Sequence, residues 1–136
     1  MFQKMSATFS VIINADFGGL MLSDSVMKAY NSLPDVEQIT SPYDFDRTDT
    51  RLAYLIEKSP QMSNLVVENI PVKYRNHYWI DEYDGAEAVK INFAQYQVAM
   101  IKEIIDGPDD DKLDRIKAFL ENSPEEKLED EFNNMN

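Results

Sequence analysis

The sequence contains no cysteine. Disulfides, thiolate metal sites and a cysteine nucleophile are therefore excluded, and a reducing, cytoplasmic compartment is the simplest expectation. There is a single histidine, His77, set among aromatic residues. With no second imidazole and no thiolate to join it, it reads as a packed or surface side chain, and no metal ligand is expected. Long apolar runs are missing too, and Met1–Ser6 lacks a basic region followed by an apolar stretch. Neither a signal peptide nor a membrane span is expected.

Positive charge is scarce. Lys and Arg number 13 against 25 Asp and Glu, a formal charge of −12, and the isoelectric point is near 4.3. A surface of that sign repels phosphate backbones and anionic lipid, which argues against nucleic acid or membrane as a direct partner. Acidity also serves solubility alone in many proteins. What is abundant is core-forming material. The chain has 136 residues, 43% hydrophobic, with 7 Phe and 7 Tyr, too apolar for disorder and long enough for one ordinary domain.

Residues 8–14, with Val11, Ile12 and Ile13, read as a strand of central composition. Ser23 and Asp24 open a helix carrying Val26, Tyr30 and Leu33 and closed by Pro34. Thr48 or Asp49 caps a second helix with the stripe Leu52, Leu55, Ile56, stopped by Pro60. Residues 65–70 read as a strand ending at Pro71. Residues 77–83 and 86–91 flank Asp84-Gly85, a dipeptide suited to a type I′ hairpin turn because both central positions need positive φ. From Phe93 to Ile105 the period becomes helical, with Ala94, Val98, Ile101 and Ile105 on one face expected to be buried. Acids at 109–111 open a further helix with Leu113, Ile116 and Leu120. Ser123-Pro124-Glu125-Glu126 caps a last one holding Leu128 and Phe132.

The expected fold is α+β: a mixed, mostly antiparallel sheet of about four strands, packed by helices on one face. Residues 1–105 form the core domain. Residues 106–136, with eleven acids against four bases, form an acidic helical C-terminal extension.

Several groupings invite a chemical reading. Asp16-Phe17-Gly18-Gly19 lies between a strand and a helix, where glycine-rich loops cradle phosphates, yet neither GxGxxG nor GxxxxGK[ST] is present, so a tight turn is the plainer reading. Arg47 and Asp49 straddle a helix start, as a cap and a loop-pinning ion pair would. Asp81, Glu82, Asp84 and Glu87 crowd the hairpin, with Glu82 and Asp84 on one face. Asp44-Phe45-Asp46 and Asp109-Asp110-Asp111 lack the glycine and terminal glutamate of an EF-hand loop.

Three of these motifs resemble, in order and spacing, a family of small uncharacterised proteins of bacteriophages, large DNA viruses and some bacteria. They are Asp16-Phe17-Gly18-Gly19-Leu20 with Leu22-Ser23, then Arg47-Thr48-Asp49, then Ile80-Asp81-Glu82-Tyr83-Asp84-Gly85 with Glu87. This chain has Phe17 where the family has Tyr, and Ala88-Val89-Lys90 where the family is aromatic. The resemblance spans residues 11–90 and implies a compact α+β core, a viral or mobile-element context and host-cell cytoplasm, with no established activity.

The resulting expectation is a non-enzymatic host-interaction or counter-defence protein. It would bind a host protein with a basic surface, plausible among those that hold nucleic acid, by imitating nucleic-acid charge. The acids proposed for that surface are Asp109, Asp110, Asp111, Asp114, Glu121, Glu125, Glu126, Glu129 and Asp130. The alternative is a nucleotide- or phosphate-binding protein or small magnesium-dependent enzyme, with Asp16, Gly18, Gly19, Arg47, Asp49, Glu82 and Asp84 converging in one pocket. No catalytic residue and no cofactor is assigned in the favoured reading.

Overall fold

The β-branched run of Val11, Ile12 and Ile13 forms strand β1 (Thr8–Asn14), which is buried from Val11 to its end. In the computed structural model, which describes residues 7–16, 19–59 and 64–135, β1 pairs antiparallel with β2 (Leu65–Pro71). The register runs from Thr8 opposite Pro71 to Asn14 opposite Leu65. Gly18 and Pro60 lie outside the described residues.

Helix α1 (Asp24–Asn31) starts where expected, with the Ser23 hydroxyl accepting from the Val26 N–H at 3.2 Å. It ends at Asn31, before Pro34 is reached. Helix α2 (Thr50–Lys58) is capped by Asp49 rather than Thr48: Asp49 Oδ1 accepts from the N–H groups of Arg51 (2.9 Å) and Leu52 (3.0 Å). Both helices pack with this sheet through one cluster. Ile12, Leu22, Val26, Tyr30, Leu52, Ala53, Ile56 and Leu65 are buried together, with Leu33, Phe45 and Leu55 packed at its margin. Each large apolar side chain buried there stabilises the fold by about 1.5–3 kcal/mol.

Pro71 ends β2, and a 3-10 turn, Val72–Tyr74, carries the chain away with Tyr74 buried. The hairpin follows, β3 (Tyr78–Tyr83) and β4 (Ala86–Ile91). Its turn has φ of 50° at Asp84 and 88° at Gly85, as type I′ geometry requires.

The four strands do not make one sheet, as the sequence suggested; they make two separate two-stranded sheets, β1–β2 and β3–β4. The physical reason is visible at the outer side of β4. Its Val89 N–H is taken by the Glu68 carboxylate, and the Asn14 N–H of β1 is taken by the Glu87 carboxylate at 2.8 Å. Side chains satisfy backbone groups that a continuous ladder would have paired.

The chain divides into two compact units, Met1–Arg75 with Trp79–Lys90, and Asn76–Tyr78 with Ile91–Asn136. The second unit groups α3 (Phe93–Asp106), α4 (Lys112–Asn122) and α5 (Glu125–Asn133). The border drawn from the sequence at residue 105 falls at the end of α3.

Three sequence expectations are corrected within this unit. The face of α3 that is buried carries Phe93 and Tyr96; Val98 and Ile105 are 66% and 51% exposed. Rings outweigh aliphatics in buried area, and α3 turns them inward, Phe93 edge-on to Phe132 (6.2 Å) and Tyr96 edge-on to Phe119 (6.3 Å). Helix α4 starts at Lys112, after the acid run, and buries no residue fully, with Leu113 64% exposed. Ser123 does not cap α5: its N–H donates to the Phe119 carbonyl and closes α4, leaving Pro124 as the first residue of the α5 boundary without a side-chain cap. Leu128 is buried as expected. No described helix is long and apolar enough to cross a membrane.

Candidate functional site

The three sequence motifs meet at Asn14. This residue ends β1, is 1% exposed, and donates from Nδ2 to the carbonyls of Asp16 (2.8 Å) and Gly85 (2.9 Å). Its backbone N–H donates to Glu87 Oε1. Arg47 approaches the same carboxylate from the segment before α2, Nη1 donating to Oε1 and Nη2 to Oε2, both at 2.8 Å. Nη1 also donates to the Ile12 carbonyl at 3.1 Å, while the Ile12 N–H donates to the Arg47 carbonyl at 2.8 Å. A strand end, a loop and a hairpin turn are thereby joined by charge-assisted bonds.

The Arg47 hydrogen bond, ahead of the opposing effect of burial, holds the Glu87 carboxyl below the ordinary glutamate value. Glu87 therefore stays ionised and Arg47 stays occupied. A phosphate would have to displace Glu87 to be gripped by this guanidinium.

The other motif residues go elsewhere. Asp49 spends Oδ1 on the α2 cap and Oδ2 on the Tyr30 hydroxyl, which donates at 3.1 Å. Burial first, and that bond second, raise the Tyr30 pKa, so its hydroxyl is a donor and not a base at neutral pH. Asp16 is exposed and contributes its carbonyl. Gly19 takes φ of 90°. Glu82 and Asp84 project from the hairpin into solvent. Of the residues pictured as converging in the alternative reading, Arg47 is linked to the Asp16 carbonyl only by way of Glu87 and Asn14, and Asp49 is directed to a different neighbourhood.

That neighbourhood is an open cleft of about 490 Å³ in the first unit, walled by Tyr30, Glu37, Asp44, Asp46, Asp49 and Arg51 among others. Carboxylates outnumber its single guanidinium, and Asp46 Oδ1 is already held by the N–H and hydroxyl of Thr48. Among the described residues, no group of three or more His, Asp or Glu is placed to hold a metal ion.

Sequence reasoning passed over two residues of consequence. Asn14 reads in the sequence only as the end of a strand; its signal is a polar amide closing a run of β-branched residues. Glu68 sits mid-strand in β2 with its Oε2 buried and, among the described residues, without a hydrogen-bond partner. Burial raises its pKa, against the lowering effects of the Val89 N–H and the Lys90 charge. An acid flanked by Val67 and Asn69 gave no periodic warning of this.

In the second unit, His77 is a packed residue, its ring edge-on to Tyr96 (5.9 Å) and its Nδ1 3.2 Å from Gln95 Oε1. Asp109, Asp110, Asp111, Asp114, Glu121, Glu125, Glu126, Glu129 and Asp130 are all exposed. Among the described residues, Asp109 alone of these nine forms an ion pair, with Arg115. Comparison with protein-family models, with curated proteins and with solved structures gave no match to this chain.

Proposed function

We propose that this protein is a non-enzymatic binding factor that engages a basic surface of a host protein through the acids of residues 109–130, in keeping with the viral resemblance of its motifs. The observation that carries the reading is the exposure of all nine of those acids, eight of them without an ion-pair partner among the described residues. Carboxylates spaced along helical surfaces reproduce the charge density that a nucleic-acid-binding protein attracts. Such a surface chiefly accelerates encounter. Arg47 and Asp49 support the fold in this reading, since both are engaged by the protein's own groups.

The test is a partner captured from host cells with the full chain, then association kinetics across a salt series. Screening shortens from about 10 Å at 0.1 M to about 3 Å at 1 M, so association slows steeply with salt and with charge reversal at Asp110, Asp114, Glu125 and Glu129. Salt-independent binding that survives those reversals rejects the proposal.

A further inference from the structure

We infer that the outer edge of β3 is a docking strand for an extended basic segment of a partner protein, read by Trp79, Asp81 and Tyr83. This goes beyond the acidic helical surface: it concerns another unit of the chain and stands on different observations.

The two-residue turn sets Tyr83 opposite Ala86, hence Asp81 opposite Ala88 and Trp79 opposite Lys90. The bond from the Asn92 N–H to the His77 carbonyl at 2.7 Å continues that register one pair further. In an antiparallel pair, alternate residues turn both backbone groups toward the partner strand. Residues 79, 81 and 83 therefore face β4, and Ile80 and Glu82 aim their N–H and C=O groups at the other edge. No strand pairs with that edge among the described residues.

One face of this strand is also unfinished. Trp79, the protein's sole tryptophan, is 50% exposed, and Tyr83 is 75% exposed. They flank Asp81 on the same side of the strand, with Ala86 and Ala88 of β4 across from Tyr83 and Asp81. Elsewhere in this unit aromatic rings are covered by the protein's own cations: Lys58 over Tyr54 (5.3 Å), Lys73 over Tyr74 (5.1 Å) and Arg75 over Phe9 (4.9 Å). Among the described residues, no cation is recorded over Trp79 or Tyr83.

Charge selects the occupant. A second copy laid along the edge would set Asp81 and Glu82 against their own counterparts, which is how exposed edges are protected from self-pairing. A segment with arginine or lysine at alternate positions meets Asp81 and Asp84 and can lay a cation on the Tyr83 ring. Lys90, across from Trp79, disfavours a cation at that end and directs it toward Asp81 and Tyr83.

The experiment uses the full chain and a synthetic seven-residue peptide alternating Thr and Arg, with a second peptide of the same sequence N-methylated on the pairing amides. Trp79 emission should shift saturably with the first peptide. Affinity, read by anisotropy of a labelled peptide, should fall about three- to tenfold for the N-methylated peptide and for Tyr83→Ala or Asp81→Asn. Equal affinity for both peptides, or unchanged affinity in both variants, overturns the inference. So does an unmoved Trp79 emission at saturation, or a dimer of the free chain that Glu82→Lys alters. Charge reversals at 109–130 should leave most of this binding intact, which separates its failure from failure of the acidic-surface reading.

Discussion

Arg47 and Glu87, forty residues apart in the chain, meet in a two-bond fork whose Oε1 arm is shared with the Asn14 N–H. The side chains are 27% and 9% exposed, so the pair lies on the inner side of the surface regime, where an unmatched charge is costly. Arg47→Ala, which leaves Glu87 without its cation, should destabilise by about 2–4 kcal/mol, and Arg47→Lys should not rescue it fully because an ammonium cannot fork. Denaturant titration of the two single variants and the double variant should give strong non-additivity. Additive losses would show the pair to be uncoupled.

The same pair has a pH signature, and Glu68 has the opposite one. Glu87 titrates below the ordinary value of 4.5 when folded, so its stabilisation is present above 4.5 and is lost as pH falls from there through the folded value. Glu68 titrates above 4.5 when folded, so its contribution is greatest below 4.5 and declines as pH rises through the folded value. Unfolding free energy measured against pH should therefore become flatter below 4.5 in Glu87→Gln. In Glu68→Gln the downward slope above 4.5 should disappear. A Glu68→Gln profile parallel to the parent's would place that carboxylate in water, contrary to the buried Oε2.

Asp49 should behave as a cap with a second duty. Asp49→Ala is expected to cost about 1–2 kcal/mol from the two lost N–H bonds, and more if the Tyr30 hydroxyl finds no other acceptor. Asp49→Ser should recover most of the capping share and Tyr30→Phe should lower the Asp49→Ala cost. Thermal melts of the three variants check this, and equal melting temperatures for Asp49→Ala and the parent would remove Asp49 from the architecture.

Gly85 occupies φ of 88° and offers its carbonyl to Asn14. A β-branched residue resists that backbone conformation, so Gly85→Val should destabilise by about 1–3 kcal/mol. Gly85→Asn should cost less, since Asn tolerates positive φ. Comparable losses for both would point away from backbone strain and toward side-chain size.

Local chemistry was legible before any packing was known. The Ser23 cap, the Asp84-Gly85 turn, β1 and β4 all depend on residues within a few positions of one another, and those residues carry the full instruction for a cap or a tight turn. Asp49 as a cap and Arg47 as half of a loop-pinning pair were equally readable as roles; the partner of Arg47 was not, because forty intervening residues leave no periodic trace.

The division of four strands into two sheets, the inward turn of Phe93 and Tyr96 in place of Val98 and Ile105, and the burial of Glu68 Oε2 were settled by packing. Periodicity identifies an apolar face but does not rank two faces of one helix; the larger rings won because they bury more surface when other rings are within reach. Alternation marks a strand but not its neighbour. Here Glu68 and Glu87 took up the backbone N–H groups of Val89 in β4 and Asn14 in β1, so an amide of each strand was satisfied by a side chain where a continuous ladder would have paired it.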